Sequence, residues 1–397
     1  MDIYSVILVA TITQATLLVL ALLTFKHSNK TANYLLSSLI VLFTYYALIK
    51  ILCYTDKIFQ YPYFIRTYQP IFVLACVVIY FYSKALITPD FKFTRKESLH
   101  LLPFGLYILL LMPFFFSDPA TKFAYLSPKT ITLSWVLELV FYNVAFFFYF
   151  GLSYRTVHRH QRHIRDVFSN LEKVKLAWLR NLLLMFGVVW VTALLRFLTS
   201  FTSVGYEIKL LTPLLLCLTI YLIGWYALRQ PEIFKDLQGE IVRRNDQDTV
   251  TAAPSETQPS AQPTRFEQRP KYEYSSLNSQ DIEGYKEKLL TLLERDRPYT
   301  HNDLKVQDLA DHLGIPSYQL SQIINTELRR NFYDLINSYR IEEAKRLLTD
   351  PANQDLTILA IAYDVGFNSK SAFNTAFRKY AEMTPSQFRE SRSAVAH

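Results

Sequence analysis

Residues 357–389 read TILAIAYDVGFNSKSAFNTAFRKYAEMTPSQFR, two short amphipathic helices parted by a glycine. Thr357 is a side-chain acceptor placed before ILAIA, Gly366 supplies the turn, and Ser369 opens the second helix, SKSAFNTAFRKYAEM. Phe367, Phe373, Ala376, Phe377 and Tyr380 fall on one stripe and predict the core of the unit. The opposite face presents Lys370, Ser371, Asn374, Thr375 and Arg378, polar groups suited to base edges and phosphates. The spacing is that of helix, tight turn, helix.

Upstream, LKVQDLADHLGIPSYQLSQIINTEL repeats the pattern around Gly314. Leu304, Val306, Leu309, Ala310 and Leu313 predict the buried side of its first helix, and Leu320, Ile323 and Ile324 that of its second. Tyr318, Gln319, Ser321, Gln322 and Asn325 are expected to be exposed. Between the two units lies NFYDLINSYRIEEAKRLLTD, with Phe332, Leu335, Ile336, Tyr339, Ile341, Ala344, Leu347 and Leu348 as its apolar stripe. A helix of about 18 residues spans roughly 27 Å. It would set two recognition helices about 34 Å apart, one turn of duplex, on the same face. A further helix, YKEKLLTLLERDR, precedes both units and ends near Arg297, with Leu289, Leu290, Leu292 and Leu293 marking its face.

The first 230 residues obey a different solvent. Tyr4 to Phe25, Ala32 to Cys53, Pro70 to Ile87, Leu99 to Phe116, Ile131 to Tyr154, Trp178 to Phe201 and Leu210 to Leu228 each approach the roughly 20 apolar residues that cross a bilayer as helix. These predict seven spans, the first retained because Lys26 and Lys30, not a small-residue cleavage site, follow it. Thirteen Lys and Arg on one side of the loops, from Lys26 to Arg180, face five on the other: Lys57, Arg66, Lys122, Lys129 and Lys209. That asymmetry places the N-terminus outside and everything after Leu228 in the cytoplasm. After the last span, IVRRNDQDTVTAAPSETQPSAQPTRFEQRPK has four prolines and almost no large apolar residue, the composition of a flexible tether. The expected organisation is all-α: a membrane domain at 1–236, a linker at 237–280 and a DNA-binding domain at 281–397.

Charge constrains the reading. The chain carries +8, but residues 271–397 carry −2 and residues 1–270 carry +10, so the basic excess belongs to the membrane half and is not a nucleic-acid signature. The DNA reading rests on motif and on a local +3 over the last 32 residues. Cys53, Cys76 and Cys217 have no paired spacing and indicate neither a disulfide framework nor zinc. His158, His160 and His163 sit among Arg155, Arg159, Arg162 and Arg165 and read as a headgroup-facing basic helix before a metal site. No cofactor is expected. No GxSxG, HExxH or Walker loop occurs, and nothing points to an enzyme. Within the spans, Glu138 and Arg196 are ionisable and read as either an ion pair or a sensing element, with Asn143, Asn181 and Gln14 able to bond between helices.

From about Asp303 to Arg392 the sequence closely resembles the DNA-binding domain of AraC-type transcription activators, above all through IAYDVGFNSKSAFNTAFRKYAEMTPSQFR. The family's usual glycine at a helix end is read as replaced by Ala381. The resemblance implies base contacts from Tyr318, Ser321, Gln322 and Asn325 in the first unit and from Lys370, Ser371, Asn374 and Thr375 in the second. The whole arrangement looks like membrane-tethered AraC-type regulators of bacteria, one-component sensors of the cytoplasmic membrane. Their implied partners are promoter DNA, the lipid bilayer, RNA polymerase and a second copy, and the implied signal is a small amphiphile or membrane-derived cue. Two other readings stay open at this level: a transporter-like bundle whose tail reports activity, and an anchor whose tail is freed by proteolysis.

Overall fold

A computed structural model describes residues 3–24, 29–88, 91–126, 133–171, 176–199, 211–228 and 279–393. The described chain is helical, with no strand among the described residues and one isolated antiparallel bridge, Phe168 to Lys305. Two compact units emerge, one within Met1–His160 and Leu176–Asp248, the other within Gln161–Lys175 and Thr249–His397.

The first unit contains α1 (Ile3–Thr24), α2 (Lys30–Tyr54), α3 (Gln69–Ile87), α4 (Leu102–Phe115), α5 (Pro119–Leu126), most of α6 (Leu133–Val167), α7 (Ala177–Leu198) and α8 (Leu211–Leu228). Among the described residues, six helical stretches are long and apolar enough to cross a membrane: Ser5–Thr24, Lys30–Tyr54, Pro62–Ile87, Arg95–Phe115, Val136–Val167 and Trp178–Leu195. The seventh expected span is present as the shorter apolar helix α8, preceded by residues 200–210, which lie outside the described set. Hydroxyls within these apolar helices satisfy themselves locally: Thr11 donates to the Ile7 carbonyl at 2.8 Å and Thr16 to that of Ile12 at 2.9 Å. Leu36, Leu39, Ile40, Phe43, Ala75, Ile79, Phe186 and Ile220 share one buried cluster, with Phe146 stacked on Trp190 at 4.3 Å. Many large apolar side chains point away from that core, among them Leu17, Val41, Leu109, Phe147 and Val191. Outward apolar faces of this extent suit a hydrocarbon solvent.

The helix of the fifth apolar span runs on past Tyr154 to Val167 and takes in the basic helix expected there, because HRHQRHIRDV contains neither Pro nor Gly to stop it. One expectation changes here. The carboxylate of Glu138 is paired with Arg66, a residue read from sequence as part of an outer loop. The Arg66 guanidinium also lies over the rings of Phe114 and Tyr125, at 4.5 and 4.4 Å. The side chain of Arg196 lies outside the described set, as do residues 237–278 of the expected linker. Asn143 accepts a hydrogen bond from the Trp190 indole at 3.4 Å, so one of the expected interhelical bonds forms.

The second unit holds α9 (Ser279–Arg295), α10 (Val306–Leu313), α11 (Ser317–Thr326), α12 (Phe332–Thr349), α13 (Ile358–Asp364), α14 (Lys370–Ala381) and α15 (Pro385–Ser393). Its apolar residues divide into two cores. Leu289, Leu293, Leu309, Leu320, Ile323, Ile324 and the first half of α12 make one; Ile341, Ala344 and Leu348 from the second half join Ile361, Phe367, Phe373 and Phe377 in the other.

Candidate DNA-binding site

Each helix-turn-helix is set by its caps. The Lys305 amide donates to the Asp308 carboxylate at 2.8 Å, opening α10, and Gly314 closes it in the left-handed region at φ 67°. In the second unit the Thr357 hydroxyl accepts from the Ala360 amide at 3.1 Å and the Ser369 hydroxyl from the Ala372 amide at 3.2 Å, as the sequence predicts. Gly366, at φ 94°, makes the turn between α13 and α14.

The recognition helices α11 and α14 bury the residues expected of them. Leu320, Ile323 and Ile324 face the first core, and Phe373, Ala376 and Phe377 the second. On α14, Lys370, Ser371, Thr375 and Arg378 are exposed and Asn374 is half-buried. Neither Lys370 nor Arg378 makes a salt bridge among the described residues, so the helix offers uncompensated positive charge on one face. On α11, Tyr318 is 44% exposed, while Ser321, Gln322 and Asn325 are half-buried. Gln319, expected among the exposed residues, is only 7% exposed. It lies one helical turn before Ile323, at the rim of the apolar stripe, close enough for the core to cover it.

The central helix α12 fixes the two units together. Asn331 caps it, accepting from the Asp334 amide at 2.8 Å. Asp334 then reaches across to α14, its carboxylate 2.6 Å from the Lys379 ammonium and 3.2 Å from the Tyr380 hydroxyl. Burial by itself would raise the Asp334 carboxyl, but Lys379, Tyr380 and Asn331 together hold it below the usual aspartate range. Arg340, 1% exposed, is the largest fully buried side chain among the described residues. Its Nε donates to the Tyr299 carbonyl and its Nη2 to the His301 carbonyl, both at 2.7 Å. It makes no salt bridge among the described residues, and burial pushes it down to about 10. The apolar stripe of α12 was legible, but Asn337 and Arg340 are buried polar residues that periodicity assigns to solvent.

The residue at the end of α14 needs correcting. Ala381 is the last helical residue, and the left-handed position is Glu382, at φ 59°. The glycine-favouring site of the resembled pattern is therefore occupied by Glu382, and Ala381 has ordinary helical geometry.

Comparison with known proteins falls on the same segment. Residues 309–391 match the family described as a helix-turn-helix domain. An uncharacterized HTH-type transcriptional regulator of Staphylococcus aureus strain COL is 35% identical over 95 residues, 24% of this chain and 12% of that protein. The melibiose operon regulatory protein of Escherichia coli K12 is 32% identical over 87 residues, 22% of this chain and 28% of that protein. The chain thus spans only a small part of the length of either regulator. Among solved structures, the C-terminal domain of the two-component response regulator YesN from Fusobacterium nucleatum is 31% identical, with a TM-score of 0.24, covering 27% of this chain and 98% of that one. Residues 309–391, with their paired caps, glycine turns and two recognition helices, are a DNA-binding helix-turn-helix domain of the AraC family of transcription regulators.

Proposed function

We propose that the protein is a membrane-bound one-component regulator: the apolar helices anchor it in the bacterial cytoplasmic membrane and read a signal, and the helix-turn-helix units bind promoter DNA from the cytoplasmic side. The observation that carries this reading is the union, in one polypeptide, of six helices with bilayer length and hydropathy and a helix whose exposed Lys370 and Arg378 make no salt bridge among the described residues. Orientation follows from the Lys and Arg asymmetry of the loops. Tyr318, Ser321, Gln322 and Asn325 in α11 and Lys370, Ser371, Asn374, Thr375 and Arg378 in α14 are the groove-facing residues; RNA polymerase and a second copy of the chain are its protein partners. The short loops between spans favour a small amphiphile or a membrane property as the signal, and Glu138, held by Arg66 among aromatic rings, is a group through which it would be felt.

Footprinting on duplexes bound by the wild-type protein tests the DNA side. Lys370→Ala with Asn374→Ala should weaken protection by about 1–3 kcal/mol for each side chain that reads a base edge. Unchanged protection would remove α14 from the groove. A reporter enzyme fused after His397 tests the topology: activity in the periplasm and none in the cytoplasm would end the proposal.

A further inference from the structure

The second compact unit includes a segment that is not part of the helix-turn-helix sequence. Residues Gln161–Lys175 belong to it, although in the chain they are the end of the fifth apolar helix and the residues that follow it, more than a hundred residues before α10. The last turn of α6 and the residues after it run along the first helix-turn-helix. Val167 packs against its core, and Phe168, 8% exposed, is paired antiparallel with Lys305, whose ammonium lies 5.8 Å from the ring. The Ser169 amide donates to the Leu304 carbonyl at 3.2 Å and its hydroxyl to the same oxygen at 2.6 Å. The Ser169 carbonyl accepts from Asn337 at 3.4 Å and from Arg340 Nη1 at 3.3 Å, while Arg340 Nη2 donates to the Ser169 hydroxyl at 3.2 Å. On the recognition helix itself, Ser321 donates to the Asp166 carbonyl at 3.4 Å.

These contacts fall where a duplex would have to pass. In a helix-turn-helix the first helix lies across the phosphate backbone and the second enters the groove. The segment covers Leu304 and the N-cap Lys305, just before α10, and one side of α11 at Ser321. On the second unit the corresponding residues Lys370, Ser371, Thr375 and Arg378 are exposed. The segment is held by a few hydrogen bonds and one buried ring, so a competing ligand of large area can displace it.

We propose that Asp166–Ser169 is a displaceable strap that closes the first helix-turn-helix unit to DNA, making the loop between the fifth and sixth apolar helices the element through which the protein controls its own DNA binding. The inference rests on the DNA-binding reading. In the closed state one recognition helix is available and the other is occupied by the chain itself. Release of the strap frees Ser321 and the start of α10, and both units then engage. Because the strap continues directly from α6, a displacement of the end of that helix is sufficient to loosen it.

The test uses the full-length chain in lipid nanodiscs with Phe168→Cys and Lys305→Cys. Residues facing each other across an antiparallel bridge have Cα atoms about 4.5–5.5 Å apart, within the range a disulfide spans. Duplexes are first recovered from a random-sequence library by selection with the reduced variant, in which the Phe168 anchor is gone. Oxidation should weaken binding of those duplexes at least tenfold, and dithiothreitol should restore it. In the otherwise native chain, Ser169→Gly should tighten binding of the same duplexes about threefold or more. Failure of the pair to cross-link, equal affinity of oxidised and reduced protein, or no change with Ser169→Gly would each overturn the strap and leave the DNA reading standing. Recovery of no duplex by either the reduced variant or the native chain would sink both together.

Discussion

In the first helix-turn-helix the turn glycine, Gly314, sits at φ 67° with open space where a Cβ would go; in the second, Gly366 at φ 94° faces the Tyr299 and Thr300 carbonyls, which a Cβ would meet at 2.6 and 2.8 Å. The same residue in the same motif thus answers two demands. Gly314 is needed only for its backbone, whereas Gly366 lets the second turn press against the loop leading into the first unit. The units differ in their outer faces too, α14 open to solvent and α11 flanked by the segment ending at Ser169.

The sharpest way to break this comparison is to give both turns a methyl group. Gly366→Ala should cost several kcal/mol and lower the thermal transition of the C-terminal unit strongly, since strain and a backbone clash add; Gly314→Ala should cost about 1 kcal/mol, for strain alone. Protease protection of the C-terminal unit in the full chain, followed against temperature, reads both. Equal effects would mean that the second turn is no more tightly packed than the first.

Next in size is the contrast between the recognition helices. Lys370→Ala with Asn374→Ala should reduce DNA affinity by more than Tyr318→Ala with Gln322→Ala, measured on the same duplexes at one salt concentration. The reverse order would place the dominant reading surface on α11.

The bond between the units should titrate. Because the Asp334 carboxyl is held below its ordinary value, the stability it contributes is complete above about pH 3.9 and is lost as the pH falls through its lower folded value. Asp334→Asn should cost on the order of 1 kcal/mol at neutral pH, as Lys379 is half exposed, and should flatten that acid limb. An acid limb unchanged in the variant would assign it to other carboxylates. The smallest effect expected is a gain: Glu382→Gly removes about 1–2 kcal/mol of left-handed strain and gives back about 0.5–1 kcal/mol in the freedom of the unfolded chain, a net stabilisation of up to about 1 kcal/mol in thermal unfolding. A loss would show that the Glu382 side chain has a stabilising contact.

Much of this was readable from local rules. Thr357, Ser369, Gly314 and Gly366 mark helix ends by chemistry that depends only on near neighbours, and their roles in the structure match. The stripes of α11, α12 and α14 follow from period alone. What sequence could not supply is pairing over distance. The sequence offers Arg196, the other ionisable residue inside a span, as the partner of Glu138, and nothing local singles out Arg66, which counts with the outer loop. Arg340 reads as a solvent-facing helix residue until Tyr299, His301 and Ser169 bring it carbonyl and hydroxyl acceptors. The segment at Asp166–Ser169 carries no motif, and its closeness to Ser321 exists only in three dimensions.

The single helix Phe332–Thr349, rooted in one core at its start and the other at its finish, behaves as a ruler cut to one length. On the proposed grip of both units on one duplex, bases lying between the two points of contact could be exchanged at little cost, but inserting or deleting even one would rotate the second target about 35° around the duplex axis, out of register with a scale that cannot stretch.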